Sequence, residues 1–229
     1  MDFYKEWEEC LEHNCNDDYY INSFLYRSNY SIDSLERSSA KDIKRIINFL
    51  ISLDKKRIIE KIGIEHIKKI NSSDVVQFSN FDKSTSEIAH ILKYERDGLT
   101  FEELGYLLNS SNGKLAATKY GENQSKTAKI FNLVSFSITK PTEVKNTSLG
   151  DVFPLLNKDT QTKLLSILCL RDPVVMCLIA KAKKTNVNYD EVVCCLSEST
   201  SNRRKSNIKY LLDLALYDID DNFIHNIKV

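Results

Sequence analysis

Apolar residues recur along most of this chain at intervals of three and four, the spacing of helices that bury one face. Phe3, Trp7, Cys10 and Leu11 mark such a face over 3–12, opposite Glu6, Glu8, Glu9 and Glu12. Residues 22–39 are polar and carry no clear period. Ile43, Ile46, Ile47, Leu50 and Ile51 then follow the i, i+3, i+4, i+7, i+8 pattern and predict a strong helix with Ser39 as its cap. Asp54 opens a shorter helix that turns Ile58, Ile59 and Ile62 inward. Gly63 reads as its stop, and Ile64, Ile67 and Ile70 add a further turn or two. Residues 1–75 are therefore expected to form a helical N-terminal segment. Asn71 to Lys83, rich in Ser, Asn and Asp, is the best linker.

From Ser84 the signals sharpen. Ser84-Thr85-Ser86-Glu87 reads as a capping box before Ile88, Ile91 and Leu92, with Asp97-Gly98 as the stop. Thr100-Phe101-Glu102-Glu103 is a second box, and its helix is expected to turn Phe101, Leu104, Leu107 and Leu108 inward. After a polar loop at Gly113 comes a helix over 122–132. Leu133 to Ile138 alternates like a strand, and Pro141 with Thr142 to Asn146 closes a hairpin. Helix, helix, helix, hairpin over 84–156 is the order of a winged helix. Helices are expected over 148–156, 160–170 and 174–184, the last started by Pro173. Within 157–229 the order then repeats as a short helix over 189–196, a longer one over 201–216 and two strands around Asp220-Asp221. Lys129 to Val134 and Leu212 to Tyr217 show the same helix-into-strand transition about 80 residues apart. The expected fold is mainly α: a helical segment followed by two winged-helix units with short β-hairpin wings.

Composition narrows the class. Only 6 Gly and 3 Pro leave no room for a Gly-rich nucleotide loop or a turn-dense β-sandwich. With 42% hydrophobic and 28% charged residues the chain has a globular balance. Its apolar stretches fall short of the roughly 20 residues a membrane span needs. The start, Met1 to Glu6, lacks the pattern of a signal peptide, so a reducing cytoplasm is expected. Cys10 and Cys15 lack zinc-knuckle spacing. Cys169, Cys177, Cys194 and Cys195 lie in apolar helical patterns and read as core. His13, His66, His90 and His225 share no ligand spacing with them, so no metal or cofactor is expected.

Lys+Arg and Asp+Glu both count 32, so net charge advertises no polyanion and local charge must carry any such reading. Residues 1–20 hold seven acids against Lys5, a face that phosphates would repel. Two stretches are basic. Residues 113–145 carry Lys114, Lys119, Lys126, Lys129, Lys140 and Lys145 against Glu122 and Glu143, a balance of +4. Residues 199–209 carry Arg203, Arg204, Lys205 and Lys209 with no acid, again +4. Both fall on the helices that a helix-turn-helix protein inserts into a major groove. Lys119, Asn123, Gln124, Lys126 and Lys129 are the candidates on the first and Asn202, Arg203, Arg204, Lys205, Ser206 and Lys209 on the second. Lys140 and Lys145 belong to the wing. Asn and Arg suit adenine and guanine edges, whereas Lys and Ser hold phosphates. The alternative is a solvated basic face.

No catalytic constellation accompanies them. A metal-dependent nuclease needs carboxylates and a Lys around Mg²⁺, and no Glu-x-Lys or Asp-x-Lys lies on a convincing strand. Asp220-Asp221 reads as turn chemistry.

The stretch from about Ser84 to Val229 resembles the tandem winged-helix DNA-recognition regions of type IIS restriction endonucleases of the FokI kind. The resemblance is carried by Leu133-Val134-Ser135-Phe136 leaving a basic helix and by Thr147 to Phe153. Lys163-Leu164-Leu165, Leu170 to Val175 and Ser201-Asn202-Arg203-Arg204-Lys205 complete it. It implies sequence-specific binding of double-stranded DNA, with cleavage in a separate domain. This chain has no recognisable nuclease domain, so catalysis would lie in a nuclease or other protein subunit or be absent. The expected role is the recognition component of a restriction-type or mobile-element system. The rivals are a protein-interaction module and a transcriptional regulator.

Overall fold

The computed structural model describes Asp18, Ile21, Asn22, Leu25 and residues 40–229 apart from Lys68, Arg96 and 110–112. The helix read over 3–12, Cys10, Cys15, His13 and the cap Ser39 lie outside these residues, as does the side chain of His66. The described chain is mainly helical. Helix α1 (Ala40–Ser52) buries Ile43, Ile47 and Leu50 at the predicted spacing. Asp54 caps α2 (Lys55–Lys61), its carboxylate accepting the Lys56 N–H at 2.9 Å, and Ile58, Ile59 and Ile62 are buried. Gly63 is not a left-handed stop. Its φ is −110°, and it leads in extended form into a 3-10 turn at Ile64–His66.

The described residues fall into two compact units. One comprises 40–48 and Gln77–Gln161; the other comprises Asp18, Ile21, Asn22, Leu25, Phe49–Val76 and Thr162–Val229. The described part of the expected 1–75 segment is thus divided between the two units. Lys183 donates to the carbonyls of Ile59, Glu60 and Ile62, the unsatisfied end of α2. Lys55 donates to Tyr217 O, and Arg204 donates to Ser72 O at 2.7 Å and Val75 O at 2.9 Å. Nor is 71–83 an open tether, because Val75, Val76 and Phe81 are buried.

In the first unit α3 (Ile88–Tyr94) is entered through a π-helical turn at Lys83–Glu87. The box read at Ser84 does not form. The Ser84 hydroxyl is buried and donates to Gln124, Thr85 donates back to Phe81 O at 2.8 Å, and Asn80 Oδ1 takes the Lys83 N–H. The box at Thr100 does form, Glu103 Oε2 accepting the Thr100 N–H at 2.8 Å. Strand β1 (Leu99–Thr100) runs directly into α4 (Phe101–Leu108), which buries Leu104 and Leu108 but leaves Leu107 56% exposed. Helix α5 (Lys114–Ile130) starts eight residues before the expected 122, directly after Gly113. Asn132, at φ 56°, ends it and leads to β2 (Val134–Phe136) and β3 (Glu143–Asn146). The sheet is antiparallel in the order β1-β3-β2, with Leu99 opposite Val144 and Val134 opposite Asn146. Helix α6 (Ser148–Val152), capped by Thr147, closes the unit's strand region.

Two glycines set how closely α4 and α5 cross. A Cβ on Gly105 would stand 1.8 Å from Ala117 O, and one on Gly121 would stand 2.0 Å from Phe101 O. Each helix therefore presents bare backbone to the other.

In the second unit α7 (Lys158–Cys169), which begins in the first, is followed by α8 (Pro173–Ala182). Helix α8 is buried along nearly its whole length. Asp172 caps α8, its Oδ1 accepting the N–H groups of Val174 at 2.9 Å and Val175 at 3.0 Å. Then come β4 (Val187–Asn188), α9 (Tyr189–Val192), α10 (Glu198–Ala215) and β5 (Ile227–Lys228). The hairpin expected around Asp220-Asp221 is absent. Asp218, at φ 67°, ends the helical chain and Asp221 caps a 3-10 turn. Strand β5 then pairs in parallel with β4, Val187 opposite Ile227. The alternation in 217–227 is that of a helix end followed by a short turn. What recurs between units is strand, cap and helix: Leu99-Thr100-Phe101-Glu102-Glu103-Leu104 matches Val187-Asn188-Tyr189-Asp190-Glu191-Val192 in residue class, with Thr100 and Asn188 as the caps.

Candidate nucleic-acid interface

Helix α5 buries Ala117, Gly121, Gln124, Ser125, Thr127 and Ala128, which turns Lys119, Lys126 and Lys129 to solvent and leaves Asn123 half-buried. Gln124 is withdrawn from the candidate set. It is buried, donates to Ser79 Oγ at 2.8 Å and accepts from Ser84. Glu122 sits between two of the lysines, 2.8 Å from Lys119 and 2.7 Å from Lys126. The hydrogen bonds from Lys119 and Lys126 hold its carboxyl below the usual range. Lys114 pairs with Glu102 at 3.1 Å and Lys145 with Glu143 at 3.6 Å. Of the six lysines in 113–145, Lys129 and Lys140 have no carboxylate partner among the described residues. Lys129 lies 4.5 Å from the centre of the Phe136 ring, a cation–π contact that holds it over β2. Lys140 is exposed in the β2–β3 loop.

That loop is built. The Ser137 N–H donates to Glu143 O at 2.9 Å, and the Ser137 hydroxyl oxygen accepts the Glu143 N–H at 2.8 Å. Ile138 projects from it fully exposed. Alternation counted Ile138 as a strand residue, but pairing stops at Phe136.

Helix α10 buries Ser201, Asn207, Ile208, Leu211, Leu212 and Ala215 and exposes Asn202, Arg203, Ser206 and Lys209. It begins three residues before the expected 201, so its first turn carries Glu198, and Asn202 and Arg203 lie in the second turn. Arg204 is occupied by the Ser72 and Val75 carbonyls, and burial lowers its pKa. Lys205 lies 3.7 Å from Asp190. Arg203 and Lys209 are the cations of this helix that meet neither a carboxylate nor a carbonyl among the described residues. The network Tyr189 hydroxyl to Ser201 O at 3.2 Å and Ser201 hydroxyl to Asp190 at 2.9 Å ties α9 to α10.

The basic stretches are therefore less free than their sums. Pairing leaves the net charge unaltered but turns four of the first unit's lysines into close ion pairs, whose field falls faster with distance than that of a lone cation. Among the described residues no group of three or more His, Cys, Asp or Glu could hold a metal ion, and no helix is long and apolar enough to cross a membrane. His90 packs edge-on against Tyr94. No family model matches the chain, and no curated protein or solved structure matches it.

Proposed function

We propose that the first unit is a winged helix that binds double-stranded DNA, with α5 lying in the major groove and the β2–β3 loop along the backbone. The observation that carries this reading is connectivity joined to charge. The order α3, β1, α4, α5, β2, β3 closes a three-stranded sheet β1-β3-β2, and Lys129 and Lys140, which meet no carboxylate among the described residues, belong to its third helix and hairpin. A helix fits the major groove, and lysines hold phosphates without reading sequence. The second unit shares the strand–cap–helix–helix order and would contribute Asn202, Arg203 and Lys209 from α10. It lacks the hairpin, so it would bind through its helix alone. The role proposed is DNA recognition in a restriction-type or mobile-element system, with any cleavage supplied by another subunit.

Binding to random duplex DNA tests this. Lys129 and Lys140 alone give a slope of log K against log salt of about −1.8, which is about tenfold between roughly 50 and 200 mM. Engagement of Arg203 and Lys209 as well doubles the slope and raises the loss to about 100-fold. Lys129→Ala with Lys140→Ala lowers the slope by about two. Absence of binding at low salt, or a flat salt response, would remove the DNA reading. A protein-interaction module would then stand, favoured by the exposed Tyr94, Leu107 and Leu115 of the same unit.

A further inference from the structure

Of the four described cysteines, Cys169 and Cys177 are buried, as this residue usually is, whereas Cys194 and Cys195 are exposed and adjacent in the chain. They occupy the central positions of the turn closed by the Leu196 N–H on Val193 O at 2.8 Å, and that turn joins α9 to α10. The Tyr189–Ser201–Asp190 network fixes the two helices on either side of it. The pair is therefore displayed on a braced turn, with both residues exposed.

The geometry disfavours a direct disulfide. Neighbouring Cα atoms across a trans peptide are about 3.8 Å apart, short of the roughly 4.4–6.8 Å that a disulfide ordinarily spans. Such a bond would be strained and readily reduced. A larger soft atom held between the two sulfurs adds a member to the ring and relieves that strain. A tetrahedral metal fits poorly, because no third or fourth ligand gathers among the described residues.

We propose that Cys194 and Cys195 form a dithiol site for a trivalent arsenical, a thiophilic centre that takes two protein sulfurs and keeps one substituent of its own. With an arylarsine oxide two As–S bonds form, the arsenic-bound oxygen leaves as water with both thiol protons, and arsenic stays trivalent. The site lies at the entry to α10, so capture loads the turn that sets where this helix starts. This holds whether or not α10 meets DNA.

Phenylarsine oxide and intact-mass analysis of the native full chain test it. Wild type is expected to take one equivalent that resists excess monothiol and is released by a dithiol. Cys194→Ser and Cys195→Ser each retain it at least about 100-fold more weakly, because the second sulfur no longer binds intramolecularly. Cys10→Ser/Cys15→Ser and Cys169→Ser/Cys177→Ser variants keep it, with circular dichroism confirming that each is folded. No retained adduct on wild type, or one that survives in folded Cys194→Ser, overturns the proposal.

Discussion

Asp172→Asn is expected to abolish the loss of stability that ionising Asp172 imposes on the folded wild type between about pH 4 and pH 7. The Asp172 side chain is fully buried, and its Oδ2 has no hydrogen-bond partner among the described residues. Burial pushes its pKa from the ordinary 3.8 up to about 7. The N–H groups of Val175 and Val174 oppose this, and the charge of Asp74 adds to it. The folded state thus holds the proton more tightly than the unfolded chain. The contribution of Asp172 to stability is greatest at low pH, declines as pH rises from the unfolded value through about 7, and levels off above it. A rise of this size corresponds to about 4 kcal/mol. Asn keeps an acceptor for the Val174 and Val175 N–H groups and carries no charge. The stability difference between variant and wild type should therefore shift by about 4 kcal/mol in favour of Asn from pH 4 to pH 8, whatever its offset. Urea denaturation across that range measures it, and a difference that stays constant with pH would refute the assignment.

Gly105→Ala should destabilise the protein by about 3 kcal/mol or more and lower the melting temperature by about 6–12 °C. Helix propensity alone argues for the opposite sign, since Ala is favoured over Gly in a helix interior by about 1 kcal/mol. The close crossing decides the outcome, because the new methyl meets the Ala117 carbonyl, which is backbone and can yield only if α4 and α5 separate. Gly121→Ala should behave alike through Phe101 O, while Gly113→Ala, with nothing within 4 Å of its Cβ, should be near neutral. Thermal melts of the three variants provide the comparison. A stable Gly105→Ala would mean that the two helices do not cross so closely.

Local chemistry was readable in the chain where local chemistry alone determines structure. The cap at Thr100 with Glu103, the start at Asp54 and the first hairpin all follow from residues within a few positions of one another. Reading failed where a distant partner competes. Ser84 has the form of a cap, but Gln124, forty positions away, takes its hydroxyl. That same bond removes Gln124 from the basic face, to which its place among polar residues had assigned it. Arg204 reads as one of four equal cations until the Ser72 and Val75 carbonyls are seen to hold it. The closing alternation of the chain imitates a hairpin because a left-handed Asp218 and an Asp221 cap space the same apolar residues as a strand would. Cys194 and Cys195 sit in an apolar context yet are exposed, at the centre of the turn closed by the Leu196 N–H on Val193 O.

The second unit is interrupted in sequence: all of Gln77–Gln161 lies between Phe49–Val76 and Thr162–Val229. Its tying bonds span 124, 132 and 162 residues, from Lys183 to Ile59, Arg204 to Ser72 and Lys55 to Tyr217. On a ribosome, Gln77–Gln161 is complete and able to assemble while α8 and α10 are still unmade. The Ile-rich α2 must wait through that interval without the elements that later cover its carbonyls. Closing so long a loop costs chain entropy before any contact returns it. Translation speed through 77–161 therefore sets how long α2 remains open to chaperones or to wrong partners, independently of the stability finally reached.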